Sequence, residues 1–424
     1  MVSSVAMEEA TDVRRAIDAV WRIESARLIA ALTRFTRDVG TAEELAQEAL
    51  LAALQEWPAR GIPEKPGAWL MTTAKHRAID QARHRAMRAG KHRQVAVELE
   101  MAQQDASAPE LEPVEDDLLR LIFIACHPVL SADARTALTL KLIGGLTTQE
   151  IARAFLVPEP TIAQRIVRAK RALQEAAVPF ELPPPAELHA RLESVLQVIY
   201  LIFNEGYAAT SGDDWIRPSL CEEALRIGRI LAELAPHEAE VHGLVALMEF
   251  QASRLRARVT ARGEPILLGA QDRSRWDRLL IHRGLLALGR AEALGQRPGL
   301  YRLQAGIAAC HARALTPEET DWVQITAYYD ELAKLTDSPV VELNRAVAVA
   351  MAYGPAAGLE LTDRLAAGGR LRTYHLLPSV RGDLLARLGR RGEARAEFER
   401  AAALAQNGRE RALLEQRAAA CLGN

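Results

Sequence analysis

Apolar residues recur at intervals of three and four positions along most of this chain, which is the spacing of one face of an α-helix. In the first segment these positions are Val13, Ile17 and Val20, followed by Leu28, Leu32, Phe35 and Val39. The same spacing returns beyond residue 118 and continues almost to the end. The pattern therefore predicts an all-α protein.

Turn and cap signals divide the first segment into three helices. Thr41 and Glu44 form a capping-box pattern, so a second helix is expected to begin at Thr41. It is expected to end near Trp57, because Pro58 cannot continue a helix. The Pro- and Gly-rich stretch 58–67 predicts a turn, and a third helix is expected from 68 to about 93.

Two helical patterns joined by a short turn lie within residues 146–173. Thr147 and Glu150 form a second capping box, and Leu156-Val157-Pro158 makes the turn. This is the outline of a helix-turn-helix. In its second helix one stripe is apolar, and the opposite side is polar and basic. The apolar stripe is Ile162, Ile166, Ala169 and Leu173, and the polar side carries Gln164, Arg165, Arg168 and Arg171.

Arginine can contact guanine edges or phosphates and glutamine can read adenine, so this polar side suits DNA binding. An ordinary helical hairpin with a solvated basic face would show the same periodicity. The compact turn and the absence of acids among residues 161–171 favour DNA binding.

Charge is balanced over the whole chain but not along it. With 53 Lys and Arg against 55 Asp and Glu among 424 residues, a uniformly basic nucleic-acid coat is excluded. Residues 75–93 carry seven Lys or Arg and one acid, Asp80, whereas residues 94–117 carry eight acids and no base. The acidic stretch also contains Pro109 and Pro113, and it reads as an extended linker or a disordered spacer.

Prolines at 179 and 183–185 mark the next boundary, and helical pairs follow to the end. Within 375–407 the small and large residues fall at the spacing of a tetratricopeptide unit; they are Gly382, Leu385, Gly389, Ala394, Phe398 and Ala401. We therefore expect an α-solenoid from about residue 186.

Three stretches in this order resemble the extracytoplasmic-function sigma factors of RNA polymerase. GTAEELAQEALLAALQEW, residues 40–57, is similar to their polymerase-clamp-binding helix. GAWLMTTAKHRAIDQAR, residues 67–83, resembles their minus-10-reading helix, and residues 146–173 resemble their minus-35-reading helix-turn-helix. The resemblance implies two small helical sigma domains joined by the acidic linker, with core RNA polymerase and promoter DNA as partners.

The resemblance also implies site residues. For core polymerase they are Glu43, Glu44, Gln47, Glu48 and Leu50. For minus-10 DNA they are Trp69, Lys75, His76, Arg77, Asp80 and Arg83, and for minus-35 DNA they are Thr161, Gln164, Arg165, Arg168, Lys170 and Arg171. Alternatively, the acids of the clamp-binding helix are solvated and only interact favourably with its helix dipole. Asp80 could likewise be an internal salt-bridge partner.

The rest of the chain, from VIYLIFNEGYAAT to LNRAVAVAMAYG, resembles the tetratricopeptide-like extension of one sigma-factor subgroup. That likeness implies a regulator in the same chain, receiving a protein or small ligand. A candidate regulatory groove comprises Asn204, Glu205, Tyr207, Asp272, Arg273 and Trp276. Alternatively, Asp272, Arg258, Glu222 and Glu240 are buried ion pairs between stacked helices.

The expected domains are therefore 8–93 (region 2), 94–117 (acidic linker), 118–177 (region 4), 185–290 (family-specific helices) and 291–424 (tetratricopeptide-like repeats). The four cysteines lie far apart and no phosphate-binding glycine loop is present, so neither metal, cofactor nor catalytic residue is expected. Without a signal peptide or a long apolar run, a cytoplasmic protein with no membrane partner is expected. Two rivals are a helix-turn-helix regulator with a ligand-sensing helical domain and an enzyme with a DNA-binding appendage.

Overall fold

The computed structural model describes residues 2–88, 114–155, 157–207, 216–260, 264–405 and 408–422, with side chains for all of these except 2–12, 81–88, 114–116 and 185. The described residues form helices and contain no strand; one isolated β-bridge joins Val259 and Pro265. The fold is all-α, as the periodicity predicts. The chain divides into two compact units, residues 1–198 and 199–424.

The first unit contains α1 (Val2–Thr36), α2 (Val39–Arg60), α3 (Pro66–Arg88), α4 (Val114–Ala125), α5 (Ala132–Leu142), α6 (Thr148–Phe155), α7 (Glu159–Glu175) and the first part of α8 (Pro185–Tyr207). Helices α1, α2 and α3 pack on one another, and α1 also packs on α4. The ring centroids of Trp57 and Trp69 are 5.4 Å apart and meet edge to face, which ties α2 to α3.

The boundaries of α2 differ from the expected ones at both ends. Asp38, not Thr41, caps its first turn, since the Asp38 carboxylate accepts a 2.6 Å bond from the Thr41 N–H. Pro58 lies inside the helix, which loses only the one bond that the proline nitrogen cannot donate. Gly61, at φ 82°, ends it and donates to the Trp57 carbonyl at 2.9 Å.

The acidic stretch also ends earlier than expected. Residues 114–117 belong to α4 and not to an extended linker. The rest of the acidic stretch, residues 94–113, lies outside the described part of the chain. Asp117 is buried, accepts a 2.6 Å bond from Arg120 and lies 3.5 Å from Arg34 Nε on α1. Two arginines therefore compensate its burial and fix the start of α4.

The second unit contains the end of α8, then α9 (Pro218–Leu234), α10 (Ala239–Ala252), α11 (Arg278–Ala293), α12 (Leu300–Arg313), α13 (Trp322–Leu335), α14 (Pro339–Tyr353), α15 (Pro355–Gly368), α16 (Leu376–Arg387), α17 (Arg391–Leu404) and α18 (Gly408–Ala420). Three 3-10 turns, Leu255–Ala257, Leu268–Ala270 and Arg273–Arg275, lie between α10 and α11. Helix α10 is buried on nearly every side and packs against α9, α11 and α12.

From α13 onward each helix packs mainly on its neighbours in the chain, which is the arrangement of helical repeats. The hairpin of α16 and α17 turns at Gly389, whose φ is 77°. Ala394 and Phe398 lie in its buried core, where Gly382 allows the Phe398 ring to approach the α16 backbone.

Gly382→Ala is expected to destabilise this hairpin. A Cβ at Gly382 would lie 2.8 Å from a Phe398 ring carbon, and the ring is only 2% exposed, so it cannot move aside. Overpacking of this kind costs about 1–3 kcal/mol in the free energy of unfolding. Urea unfolding of the full chain measures it.

Gly392→Ala is the matched control on α17, because nothing lies within 4 Å of a Cβ at that position. It should be neutral or stabilising, since alanine favours a helix over glycine by about 1 kcal/mol. Equal effects of the two substitutions would contradict the packing described for this hairpin.

Candidate functional site

The helix-turn-helix is formed by α6 and α7. The Thr147 hydroxyl accepts from the Glu150 N–H at 3.1 Å, and the Glu150 carboxylate accepts from the Thr147 N–H at 2.8 Å, which confirms the capping box. Burial alone would raise the pKa of Glu150, but the bonds from Thr147 and the Arg22 guanidinium outweigh it and lower the pKa below its usual value. The charged carboxylate therefore holds the first turn of α6 in place.

Helix α7 divides into a buried and an exposed face as its sequence predicts. Ile162, Ile166, Ala169 and Leu173 are buried. Gln164, Arg168 and Arg171 are exposed, whereas Thr161, Arg165 and Lys170 are half-buried. The six residues expected to read minus-35 DNA thus lie on one helix with different accessibility.

The arginines of α7 also differ in whether they form ion pairs. Arg165 is paired with Asp133 at 2.7 Å, and Arg171 with Glu175 at 2.7 Å. Arg168 is exposed and makes no ion pair with any residue that the structure describes. Arg165 and Arg171 must each break an ion pair before they can bind DNA. Arg168 has no such pair with a described residue to break.

Lys170 faces the opposite way, toward α2. Its ammonium directly contacts the Glu43 carboxylate, and the Lys141 ammonium of α5 lies 3.6 Å from the same group. The Glu43 side chain is only 5% exposed and also accepts a 2.6 Å bond from Gln47. One buried carboxylate therefore joins the expected clamp-binding helix to the helix-turn-helix half.

Two further ion pairs cross between these halves of the first unit. Arg34 reaches Asp117 as described above, and Arg22 on α1 lies 3.2 Å from Glu150 on α6. The Arg22 pair is largely exposed and contributes at most about 1 kcal/mol, so the buried contacts of Glu43 and Asp117 dominate.

The outer face of α2 carries the other clamp-binding candidates. Glu44 and Gln47 are exposed, and Glu48 and Leu50 are half-buried. Leu51 and Leu54, which are 57% and 37% exposed, share this face because they follow Glu44 and Gln47 at seven-residue spacing. These two leucines were not among the expected site residues, although their helical spacing from Glu44 and Gln47 could have indicated them.

Helix α3 carries the candidates for minus-10 DNA. His76 and Asp80 are exposed, Trp69, Lys75 and Arg77 are half-buried, and the Arg83 side chain lies outside the described part of the chain. Arg77 lies 3.2 Å from Glu48, so one minus-10 candidate is paired with one clamp-binding candidate. The exposed part of α3 before residue 81 is thus a mixed polar surface next to the Trp57–Trp69 pair.

In the second unit the candidate groove residues take up different roles. Glu205 is ion-paired with Arg217, and Asp272 is exposed and caps the 3-10 turn Arg273–Arg275 through the Ser274 N–H at 2.9 Å. Tyr207, Arg273 and Trp276 come together, as described below, while Asn204 is half-buried on α8.

The alternative of buried ion pairs fails for three of its four residues. Asp272 and Glu222 are exposed. Glu240 instead binds the backbone at the start of α12, accepting from the N–H groups of Gly299 at 3.0 Å and Tyr301 at 2.7 Å. A carboxylate at a helix N-terminus and one in an ion pair have the same sequence signature, so the sequence could not distinguish them.

No group of His, Cys, Asp or Glu side chains in the described ranges is arranged to hold a metal ion. None of the described helices is both long enough and apolar enough to span a bilayer.

Family models match three parts of the chain. Residues 22–88 match sigma-70 region 2, residues 120–173 match sigma-70 region 4, and residues 191–292 match a family of unknown function, DUF6596. The first two matches contain α2, α3 and the helix-turn-helix, where the candidate polymerase and promoter surfaces lie.

Relatives agree with these matches. An uncharacterised protein of Rhizobium meliloti is 43% identical over 392 residues, which is 91% of this chain and 90% of the relative. A probable ECF RNA polymerase sigma factor, SigI of Mycobacterium tuberculosis, is 27% identical over 40% of this chain and 58% of its own length. The RNA polymerase sigma-H factor of Pseudomonas aeruginosa is 28% identical over 39% of this chain and 89% of its own length. No solved structure matches the chain.

The two sigma-70 regions, their order and the similarity to sigma factors indicate the same family. The chain belongs to the extracytoplasmic-function family of RNA polymerase sigma factors and carries a long C-terminal helical extension.

Proposed function

We propose that this sigma factor binds core polymerase with the outer face of α2, reads the minus-10 element with α3 and reads the minus-35 element with α7. The observation that carries the α7 assignment is Arg168, which is exposed beside Gln164 on a capped helix-turn-helix and forms no ion pair with a described residue. For α2, the support is the exposed pair of leucines between polar side chains. The chain acts as a non-enzymatic initiation factor in the cytoplasm, where polymerase and promoters are.

The first unit must open to reach both promoter elements. By their names the elements lie about 25 base pairs apart, which is about 85 Å along B-DNA. A compact unit of 198 residues has a radius of gyration of about 16 Å and is roughly 45 Å across. The α3 and α7 surfaces therefore cannot reach both elements while α2 and α7 share Glu43.

The chain between the two halves is long enough for this opening. Residues 89–113 span at most about 85 Å when fully extended. Separation would expose Glu43 beside Glu44 and would free Lys170 for DNA phosphate. Polymerase and promoter each supply opposite charge to these groups, so binding can replace the internal ion pairs.

The second unit is proposed to regulate transcription in cis, through a protein or small ligand. The Rhizobium relative aligns over 91% of this chain, so it shares the extension as well as the sigma regions. The part of α8 in the first unit supports region 4: Arg191 donates to the Phe123 carbonyl at 3.1 Å and Ser194 to the Cys126 carbonyl at 2.9 Å. A truncation that tests the extension should therefore keep α8 as far as Val198.

Arg168→Ala is expected to lower transcription from promoters that depend on a minus-35 element. A specific arginine–base contact contributes about 1–3 kcal/mol, so the loss should be about tenfold to a hundredfold and should relax preference at one base position. Run-off transcription on promoters that vary at minus-35 measures it. Arg14→Ala, an exposed arginine of α1, is the control and should have no effect. Unchanged base preference in Arg168→Ala would contradict the role of α7.

Leu51→Glu and Glu44→Lys are expected to weaken binding to core polymerase by at least about tenfold each, because both side chains point outward and central interface contacts contribute about 1–2 kcal/mol or more. Affinity is measured alongside far-UV circular dichroism. Asp18→Lys, a charge reversal on the exposed side of α1, is the control. Normal affinity in both folded α2 variants would exclude this face as the polymerase contact.

A chain that ends after Val198 is expected to bind core polymerase and to transcribe less than the full chain, because the regulator has been removed while region 4 keeps its support from α8. A chain that ends after Val178 loses the bonds from Arg191 and Ser194 and should unfold at lower urea concentration. Full-length activity of the 1–198 chain under all conditions tested would rule out regulation in cis.

A further inference from the structure

Arginine and aromatic side chains alternate inside the second unit. The Arg258 guanidinium carbon lies 3.6 Å from the centroid of the Tyr207 ring, and that of Arg254 lies 5.8 Å from the same ring. Arg254 is also 5.8 Å from the Trp276 ring, and Arg273 is 5.0 Å from it. We call these five residues the arginine–aromatic row. It brings three cations within the reach of two rings.

All three arginines are at least nine-tenths buried, with exposures of 9% for Arg254, 8% for Arg258 and 6% for Arg273. Burial lowers the pKa of Arg258 and of Arg273, and the neighbouring charge of Arg254 lowers both further. A buried positive charge requires a counter-charge or oxygen acceptors. The three arginines meet that requirement to different degrees.

Arg273 is held by backbone and hydroxyl oxygens. It donates to the carbonyls of His311 at 3.0 Å and Ala314 at 2.8 Å, and to the Thr320 hydroxyl at 2.9 Å. Glu318 and Glu319 act on it only from a distance. Arg258 donates to the Tyr207 carbonyl at 3.1 Å. Both side chains thus have structural roles.

Arg254 differs from them. Within the described part of the chain it forms no ion pair and no side-chain hydrogen bond, and its Nε is buried without a partner. Among the described residues its guanidinium is attracted by the faces of Tyr207 and Trp276. Aromatic faces attract a cation but do not accept its N–H groups as an oxyanion does.

Two neighbours of Arg254 also carry ring nitrogens that are buried and have no hydrogen-bond partner among the described residues. These are Nε1 of Trp276 and Nδ1 of His311. Burial, together with the charges of Arg254 and Arg273, lowers the pKa of His311 to about 3, so its imidazole stays neutral at physiological pH. Among the described residues, Arg254 is therefore a buried cation without a counter-charge, and it lies beside an indole that has no acceptor for its N–H.

We propose that Arg254 is the centre of a binding site for an oxyanion, the phosphate or carboxylate group of a small molecule. The guanidinium presents paired N–H donors that match such a group, and the Trp276 indole N–H adds one more. Arg258 contributes charge from across Tyr207. The proposal does not depend on regulation in cis, because binding is measured without polymerase or DNA.

Calorimetric titration of the full chain tests the site, first with inorganic phosphate and then with succinate, at constant ionic strength set by chloride. The expected result is saturable binding of at least one of the two anions, weakened about tenfold or more in Arg254→Gln, because a hydrogen-bonded charge is lost. Arg254→Lys keeps the charge but not the fork and should bind with intermediate affinity. The thermal unfolding of each variant is recorded to confirm that it is folded.

Two controls separate this site from other basic surfaces. Arg256→Gln removes an exposed arginine two residues away, and Arg168→Ala removes a basic group from α7; both should bind the anion normally. Binding that is lost in Arg168→Ala but kept in Arg254→Gln would overturn the proposal. So would the absence of binding at millimolar concentrations of both anions.

Discussion

The arrangement of the first unit depends on how one buried carboxylate is neutralised. Glu43 is nearly inaccessible to water, and an isolated charge there would cost several kcal/mol. Lys170 of α7 and Lys141 of α5 compensate it, and these lysines belong to the helix-turn-helix half. The α2 half and the helix-turn-helix half are therefore held together by ion pairs that form only while the two halves are in contact.

The stability of the closed unit therefore depends on whether other charged partners are available to these groups. Opening exposes Glu43, Lys141 and Lys170 to water, where their charges are solvated, and leaves them available to charged partners. A basic groove on polymerase and the phosphates of promoter DNA offer the opposite charges in the required places. The three charged side chains that hold the free protein closed therefore also favour binding once polymerase and promoter DNA are both present.

The two faces of α2 show how one helix can serve both the closed and the open state. Glu43 faces the helix-turn-helix half, whereas Glu44, Gln47 and Leu51 face solvent. On α7 a similar division separates Lys170, which is engaged with Glu43, from Arg168, which is free of ion pairs to described residues. Partner binding can thus begin on the exposed faces and then compete for the internal contacts.

Local patterns predicted much of this architecture. The helices, the helix-turn-helix, its Thr147–Glu150 cap and the buried stripe of α7 all follow from interactions within a few residues along the chain. The packing of Gly382 against Phe398 also agrees with the repeat spacing. Long-range ion pairs were not predictable, because they depend on how helices distant in the chain pack together. The pairs of Glu43 with Lys170 and of Arg165 with Asp133 are examples. Nor could composition show that Asp117 belongs to a helix and that Glu240 caps one.

The distance between α3 and α7 distinguishes the closed first unit from the open one. Spin labels at Thr72→Cys and Val167→Cys, both exposed positions, report it in the full chain, with Cys421→Ser removing the native thiol that is not buried. We expect a separation within about 45 Å in the free protein and an increase to about 80 Å in the complex with core polymerase and promoter DNA. An unchanged distance in an actively transcribing complex would contradict it.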